Sequence, residues 1–590
     1  MDVNHSSPFP MRQPRVISTV KRASALQGCR WEDFMADTTA AGAIPADTAL
    51  PTDTAVPTDG QVYSGGDFNL KRIRKSVFAA LLDSKRRYGS KKLAAVDADG
   101  RELSFGDLTK AVFALGHALK AGTEPGEAVG VLLPTGVGAI ISFYAVSAYG
   151  RVPAMLNFTA GERALKAACR ACKAKRIVTA RRFIELGELE ELEATLKEDH
   201  ELIYLEDVRE NLSIMDKIAA AVGMVAPFLV RAHPDPDSPA VYLFTSGTEG
   251  DPKGVVLSHS NLLANVEQVR DHIRILPTDV LFNPLPTFHC FGLTGGVLVP
   301  LGLGVPAICH PTPLQAKTIV KRIAETKATI LFATDTFMNQ YARAAGADDL
   351  SSLRMAVCGA ERVKDETRSS LRRRFNLEIV EGYGLTEAAP VFSVNQPDNN
   401  RPGTVGQIMP GCEARLVPVP GINDGGQLHI KGPNIMKGYI RPTAPLELEA
   451  PADGWHDTGD IVSIDDEGFI SIRGRVKRFA KLGGEMVSLA VVENCATSLW
   501  PDNMHAAAAI PDKRKGEQVI LLTDYDKADR GDLVAFARNH GISELAIPRK
   551  IIKVDSIPVL GTGKTDYGSV QKTVEALMAE TEAPVAEPAE

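Results

Sequence analysis

The chain has 590 residues, 24% of them charged, with 66 Lys and Arg against 73 Asp and Glu for a formal charge of −7. One hydrophobic core seldom organises so many residues, so two or more domains are expected, and no global basic field marks nucleic acid as the main partner. Eight cysteines at irregular positions fit a reducing cytoplasm rather than a disulfide framework.

Residues 1–68 read as a disordered N-terminal extension and linker. Three tandem hexads over residues 45–62, PADTAL, PTDTAV and PTDGQV, are too few to stack into a solenoid core. Residues 11–30 are basic and carry no apolar h-region, unlike a secretory signal. From residue 69 the pattern alternates: a hairpin over 93–103, a helix over 105–121, a strand over 129–133, then helix, turn and buried strand within 136–156. That rhythm implies a layered α/β fold with buried sheets and leaves chemistry open. Cys169 and Cys172 form a C-x-x-C with no second pair nearby, an incidental pair on a helix. The apolar runs 136–156 and 290–309 are broken by Gly and Pro, so no transmembrane span is expected. Residues 218–230, flanked by Lys217 and Arg231, read as a buried element and leave peripheral membrane contact open. From residue 576 an Ala/Pro/Glu-rich stretch reads as a disordered acidic tail.

The most informative stretch is TSGTEGDPKG, residues 245–254. It follows the apolar run 241–244, a buried strand, and precedes helical spacing at Leu262, Leu263, Val266, Val269 and Ile273. The hydroxyls of Thr245, Ser246 and Thr248, three glycines including Gly247, and the mobile charge of Lys253 make a phosphate cradle between strand and helix. It is not the common P-loop, because Pro252 stands where that motif's second Gly falls.

This loop resembles the phosphate-binding signature of the adenylate-forming superfamily of acyl-CoA and acyl-carrier-protein synthetases, luciferases and peptide-synthetase adenylation domains, with Glu249 replacing the usual Thr. Further motifs follow in the family's order. PLPTFHCFGLT, residues 284–294, places Phe288 and His289 at the start of an apolar segment; the resemblance puts them beside the carboxylate pocket. In CGAE, residues 358–361, and GYGLTE, residues 382–387, the small Gly359 and Ala360 admit a flat ring and Tyr383 offers an aromatic face. Thr386 can donate to a phosphate oxygen, and Glu387 supplies a hard oxygen ligand for Mg²⁺. The resemblance implies nucleotide contacts from Gly359, Ala360, Glu361, Tyr383 and Gly384, and metal ligation by Glu387 and Thr248. It implies ribose binding by Asp460 of DTGD, residues 457–460, and by Arg475 of GRVKR, residues 474–478, with Lys477 as a domain hinge. Lys564 of PVLGTGKTD, residues 558–566, corresponds to the family's invading lysine, and the catalytic set expected is Lys564, His289, Thr386 and Lys481.

The implied architecture is α/β: a large adenylating domain over residues 69–473, a small mobile C-terminal α+β lid over 474–575, and the tail over 576–590. FAKLGGEMVS, residues 479–488, and GTGKTDY, residues 561–567, together with Glu249 and Arg478, resemble the acyl-acyl-carrier-protein synthetase half of a bacterial two-domain enzyme that also acylates lysophosphatidylethanolamine. The acyltransferase signature His-x4-Asp is not found; His5 is followed by Pro10 and His259 by Ala264 at that spacing. The resemblance therefore implies a cytoplasmic or inner-membrane-peripheral ligase that uses ATP and Mg²⁺ to activate a fatty carboxylate. Transfer to acyl carrier protein is expected, with CoA as the alternative acceptor and a separate lysophospholipid acyltransferase as a partner. A non-catalytic carrier-binding protein is the reading from another class, which loss of Lys564, Glu387 or the phosphate loop would have favoured; all three are present.

Overall fold

The structure is a computed structural model and describes residues 61–245, 251–420, 422, 424–482, 485–512, 516–540, 542–559 and 565–582. Among these, four sheets organise the chain. In the largest, six strands run parallel in the order Ile379–Gly384, Met355–Cys358, Ile330–Ala333, Leu281–Asn283, Ala307–Cys309, Leu93–Val96, with antiparallel strands at both edges. A second sheet sets five parallel strands, Pro239–Thr245, Val152–Met155, Ala128–Val131, Arg176–Thr179 and Glu201–Tyr204, beside three antiparallel ones. The inner strands are short runs of Val, Ile, Leu and Ala buried on both faces, as parallel strands covered by helices must be. Helices start where the sequence offers caps. Ser104 with Asp107 caps Phe105–Lys120, and Ser258 with Asn261 caps His259–His272, each satisfying otherwise orphaned amide donors.

A third, antiparallel sheet joins Val62–Ser64, Glu413–Val417, Gly426–Lys431, His456–Ile464 and Ile470–Arg475. Its first strand lies inside the stretch read as a disordered linker. The third hexad thus ends as a strand, held by pairing with Glu413–Val417 and by Gly65 donating to the Cys412 carbonyl at 2.9 Å. A side chain at Gly65 would meet the Met409 carbonyl oxygen at 2.0 Å, which fixes that position as glycine.

The fourth sheet is drawn from residues 479–553: Phe479–Leu482, Glu485–Ser488, His505–Asp512, Gly516–Thr523 and Lys550–Lys553. It has its own apolar cores, around Val492, Leu521 and Leu533 on one side and Ile520, Val570 and Val574 on the other. The helix that buries Val570 and Val574 spans Tyr567–Glu582. It runs past residue 576 into the stretch read as tail, because Met578 still packs on the second core.

Two further expectations change. The phosphate stretch does not pass from strand to helix: Lys253–Ser258 is itself a strand, antiparallel to Pro239–Thr245 with Thr245 opposite Lys253. The β-branched run at Val255 and Val256, buried on both faces, carries enough apolar surface to extend the sheet before the Ser258 cap begins the helix. Residues 218–230 are not a buried element either. They fall in helix Ile214–Val225 and the following turn Pro227–Leu229, and their apolar side chains are largely exposed. The helix packs inward through Ala219, Ala220 and Gly223 instead.

Cys169 and Cys172 are buried on helix Glu162–Cys172. Burial pushes the Cys172 thiol up to about 12 and raises that of Cys169 as well, so both act as small hydrophobes. Among the described residues no helix is long and apolar enough to cross a membrane.

Candidate functional site

Four of the separated motifs lie at or just beyond the carboxyl ends of parallel strands, while those of Asp460 and Arg475 lie on the antiparallel third sheet. Thr245 ends Pro239–Thr245, Gly359 follows Met355–Cys358, Tyr383 and Gly384 end Ile379–Gly384, and the stretch with Phe288 and His289 follows Leu281–Asn283. In open parallel sheets this edge is where ligands bind, since the connecting loops there leave crevices.

Asp460 is the centre of one cluster. It sits on strand His456–Ile464 opposite Arg475 on Ile470–Arg475. Its buried carboxylate accepts the Tyr383 hydroxyl at 2.6 Å and Arg475 Nε at 2.9 Å. A buried carboxylate needs such partners to stay charged. Burial, then the Asp460 charge, raises the Tyr383 hydroxyl well above its ordinary range, keeping it a donor. Asp460 in turn holds the Arg475 guanidinium above its usual value. Three motifs far apart in sequence therefore meet within hydrogen-bond distance.

Glu387 centres the second cluster. Thr386 and Glu387 open the short turn Thr386–Ala388, pinned by the Met436 amide donating to the Glu387 carbonyl at 2.8 Å. The Glu387 carboxylate accepts the hydroxyl of Tyr439 at 2.6 Å. Lys253 lies over that tyrosine's ring, 5.1 Å from the centroid, and His456 meets it edge-on at 6.3 Å. Burial and the Glu387 charge raise the Tyr439 hydroxyl, and burial lowers His456, so a neutral imidazole faces the cluster. Tyr439 thus joins the phosphate hairpin, through Lys253, to the expected metal ligand. Sequence reasoning missed it, and the available signal was the Lys437-Gly438-Tyr439 run that pairs against Val255.

His289 lies beside Phe288 with ring centroids 4.8 Å apart, and Phe288 packs edge-on against Phe158 at 5.0 Å. The following π-helix, Phe291–Leu298, stacks Phe291 on Phe332 at 5.5 Å and brings Phe291 beside Gly359. Close packing forbids a side chain at Gly292, where a Cβ would sit 2.1 Å from the Pro286 carbonyl oxygen. Wide helical turns of this kind recur at functional sites. Here the turn sets the Phe291 ring against Gly359, two residues along the chain from His289.

Other expected residues are placed differently. Ala360 adopts φ +68°, turning the chain after Gly359, and the Glu361 carboxylate is occupied by Thr336, accepting its amide at 3.0 Å and its hydroxyl at 2.9 Å. Lys481 is exposed on Phe479–Leu482, where its amide donates to Glu517. Lys477 is exposed in the turn Val476–Arg478 that links the third and fourth sheets. Ser246, Gly247, Thr248 and Lys564 lie outside the described residues. Among the described residues no group of three or more His, Cys, Asp or Glu side chains forms a metal cage.

Fold and site together define an α/β protein of the adenylate-forming fold. Residues 82–440 match the family of AMP-binding enzymes, and the chain belongs to that family. It is 30% identical over 351 residues to the mitochondrial medium-chain acyl-CoA ligase ACSF2 of Mus musculus, a match covering 56% of this chain and 57% of that enzyme's length. A long-chain-fatty-acid–CoA ligase of Bacillus subtilis is 28% identical over 535 residues, covering 83% of this chain and 93% of the relative. Among solved structures, ATP-bound MatB from Rhodopseudomonas palustris superposes with a TM-score of 0.73 at 26% identity, over 85% of this chain and 99% of that one.

Proposed function

We propose that this protein is an AMP-forming acid–thiol ligase that activates a fatty carboxylate with ATP and passes the acyl group to a thiol. The observation that carries the reading is the convergence of Tyr383, Asp460 and Arg475 in one cluster and of Glu387, Tyr439 and Lys253 in another, at the strand edge where a nucleotide would lie. Asp460 and Arg475 would take the ribose hydroxyls, and Gly359 with Tyr383 would flank the base. The Glu387 carboxylate suits the Mg²⁺ that accompanies ATP, which phosphates and water hold for the most part and which needs only one or two protein oxygens. Bound there, the ion supplies charge neutralisation on the phosphates. Lys253 adds a fixed positive charge on the phosphate side, and the Tyr439 hydroxyl orients the Glu387 carboxylate. Phe288 and Phe291 exclude water from the carboxylate side. A carboxylate is nucleophilic without a general base, so the chain's work is positioning and charge stabilisation. Pyrophosphate release from ATP, measured with a panel of fatty acids and no thiol acceptor, tests the activity. Release with at least one chain length is expected, and silence across the panel overturns the reading in favour of a non-catalytic carrier-binding protein.

Tyr439→Phe removes a hydrogen bond to a charged group, an interaction of about 1.5–3 kcal/mol. Pyrophosphate release should fall about tenfold to a hundredfold, and half-saturation by Mg²⁺ should move to higher concentration. Rates measured across a Mg²⁺ titration check this. An unchanged titration with unchanged rate would detach Tyr439 from the metal ligand.

The acceptor we propose is holo acyl carrier protein. The motifs at 479–488 and 561–567 support it, as does a C-terminal segment, residues 474–575, with 15 Lys and Arg against 13 Asp and Glu in a chain of net −7. Carrier proteins are acidic around their phosphopantetheine arm, so positive surface near the thiol entrance raises encounter rates. CoA is the second reading, favoured by relatives named acyl-CoA ligases. Comparing kcat/KM for both thiols at two ionic strengths decides between them. A carrier-protein preference that shrinks with salt is expected; a CoA preference at both ionic strengths would assign the chain to CoA. A separate lysophospholipid acyltransferase would then be a consumer of the acyl-carrier product.

A further inference from the structure

We propose that helix Ile214–Val225 and the turn Pro227–Leu229 form a membrane-docking surface that seats the protein on an anionic bilayer. Soluble chains leave isolated apolar residues in water, but a continuous stripe of them marks a binding surface. Here Ile214, Ile218, Val222 and Val225 recur at helical spacing along one outward line, and the stripe continues into Phe228 and Leu229. Val225 is 88% exposed, Phe228 64% and Leu229 68%. The opposite face is committed to the fold. Ala219, Ala220 and Gly223 pack inward, and Gly223 lies against the Phe113 ring so closely that a Cβ would meet it at 2.6 Å. The outward stripe is therefore not a core face awaiting a small rearrangement.

Charge selects the occupant. Between residues 211 and 234 the only acid is Asp216, and it is buried, bonded to His117 Nδ1 at 2.6 Å and to the Ser213 hydroxyl and amide. Cations border the stripe: Lys217 is exposed on the helix, Arg231 follows the turn, and the Lys85 ammonium rests on the Met224 sulfur at 3.5 Å. That contact brings the basic last turn of helix Val77–Tyr88, Lys85 to Arg87, alongside. Asp83, the acid in that turn's vicinity, is already paired with Lys75 at 2.8 Å and Arg86 at 2.9 Å. An apolar helical face bordered by unpaired lysine charge, lying flat, is what an anionic lipid interface takes up. A second copy of this chain would have to bury the same like charges face to face.

The inference concerns a surface apart from the nucleotide clusters, and its failure leaves the ligase reading intact. Cosedimentation of the full chain with phosphatidylcholine vesicles, with and without phosphatidylglycerol, tests it. Wild type should bind the phosphatidylglycerol vesicles and release with salt, and Val225→Glu, Phe228→Glu and Leu229→Glu together should lower partitioning about 100-fold. Pyrophosphate release with a soluble short-chain acid and no vesicles should stay unchanged in that variant, reporting its fold. Phe228→Trp gives a second reading: its added fluorescence should be quenched by brominated lipid. No sedimentation of wild type, undiminished sedimentation of the triple variant, or an unquenched Trp would each overturn the proposal. A dimer that the triple variant dissociates would overturn it in favour of self-association.

Discussion

Lys564→Ala is expected to slow adenylation, read as pyrophosphate release from ATP and fatty acid, by about 10² to 10³, the loss of about 2.7–4 kcal/mol that removing one transition-state donor brings. The second half-reaction, thiol capture of preformed acyl-adenylate, should proceed at the wild-type rate. An ammonium on a flexible stem can reach the attacking carboxylate and the α-phosphate together, and neither demand persists once pyrophosphate has left. The described residues nearest Lys564 are held by hydrogen bonds. Val559 bridges Thr565, the Asp566 amide donates to the Pro558 carbonyl at 2.9 Å, and the Asp566 carboxylate accepts the Ser569 hydroxyl at 2.7 Å and the amides of Gly568 and Ser569 at 3.1 Å. The described residues on either side of Lys564 are thus tied to each other and to the first turn of helix Tyr567–Glu582. Single-turnover assays of each half-reaction check the prediction, and a parallel fall in both would remove Lys564 from the adenylation step.

The glycine- and acid-bearing motifs were legible in the sequence because each is a contiguous string whose chemistry is local. What could not be read is how they meet. Tyr439 lies in an ordinary-looking strand, and only pairing of Gly438–Arg441 against Lys253–Ser258 puts its hydroxyl on Glu387. The strand Lys253–Ser258 is hidden in the sequence because Pro252 and Gly254 look like punctuation before a helix, whereas burial on both faces makes Val255 to Ser258 part of a sheet. Local propensity gave way to tertiary packing there. Helix Ile214–Val225 errs in the opposite direction: its composition is that of a buried segment, and only the structure reveals that the apolar side faces outward. Val62–Ser64 shows the same limit, since a three-residue strand in a low-complexity repeat is specified by its partner strand.

Lys477→Pro should separate the two half-reactions, because the chain bends between two arginines that are each locked to a different body. Arg475 is tied to Asp460 on the third sheet at 2.9 Å. Arg478 is tied into the C-terminal body: its guanidinium bonds Glu493 at 2.6 Å and the Ala507 carbonyl at 3.0 Å, and lies 3.5 Å from the centroid of the Tyr567 ring. Glu493 also accepts the Ala507 amide at 2.7 Å. Burial raises the Glu493 carboxyl, and the Arg478 charge opposes that rise. A rotation of one body against the other must then be absorbed at Val476 and Lys477, the residues between the locks. Tyr567 stands three positions after Lys564, so whatever turns Arg478 carries the root of the lysine's loop with it. Proline at 477 fixes φ near −65° and restricts Val476 as well. On the proposed hinge, one orientation should survive and the other become inaccessible, which should cost the half-reaction that needs it at least about 100-fold, or about 2.7 kcal/mol. Measuring pyrophosphate release and acyl transfer from preformed adenylate separately, with Lys477→Ala as the control for the lost charge, resolves the outcome. Equal retention of both activities in the proline variant would show that the two chemistries do not share a hinge at this turn.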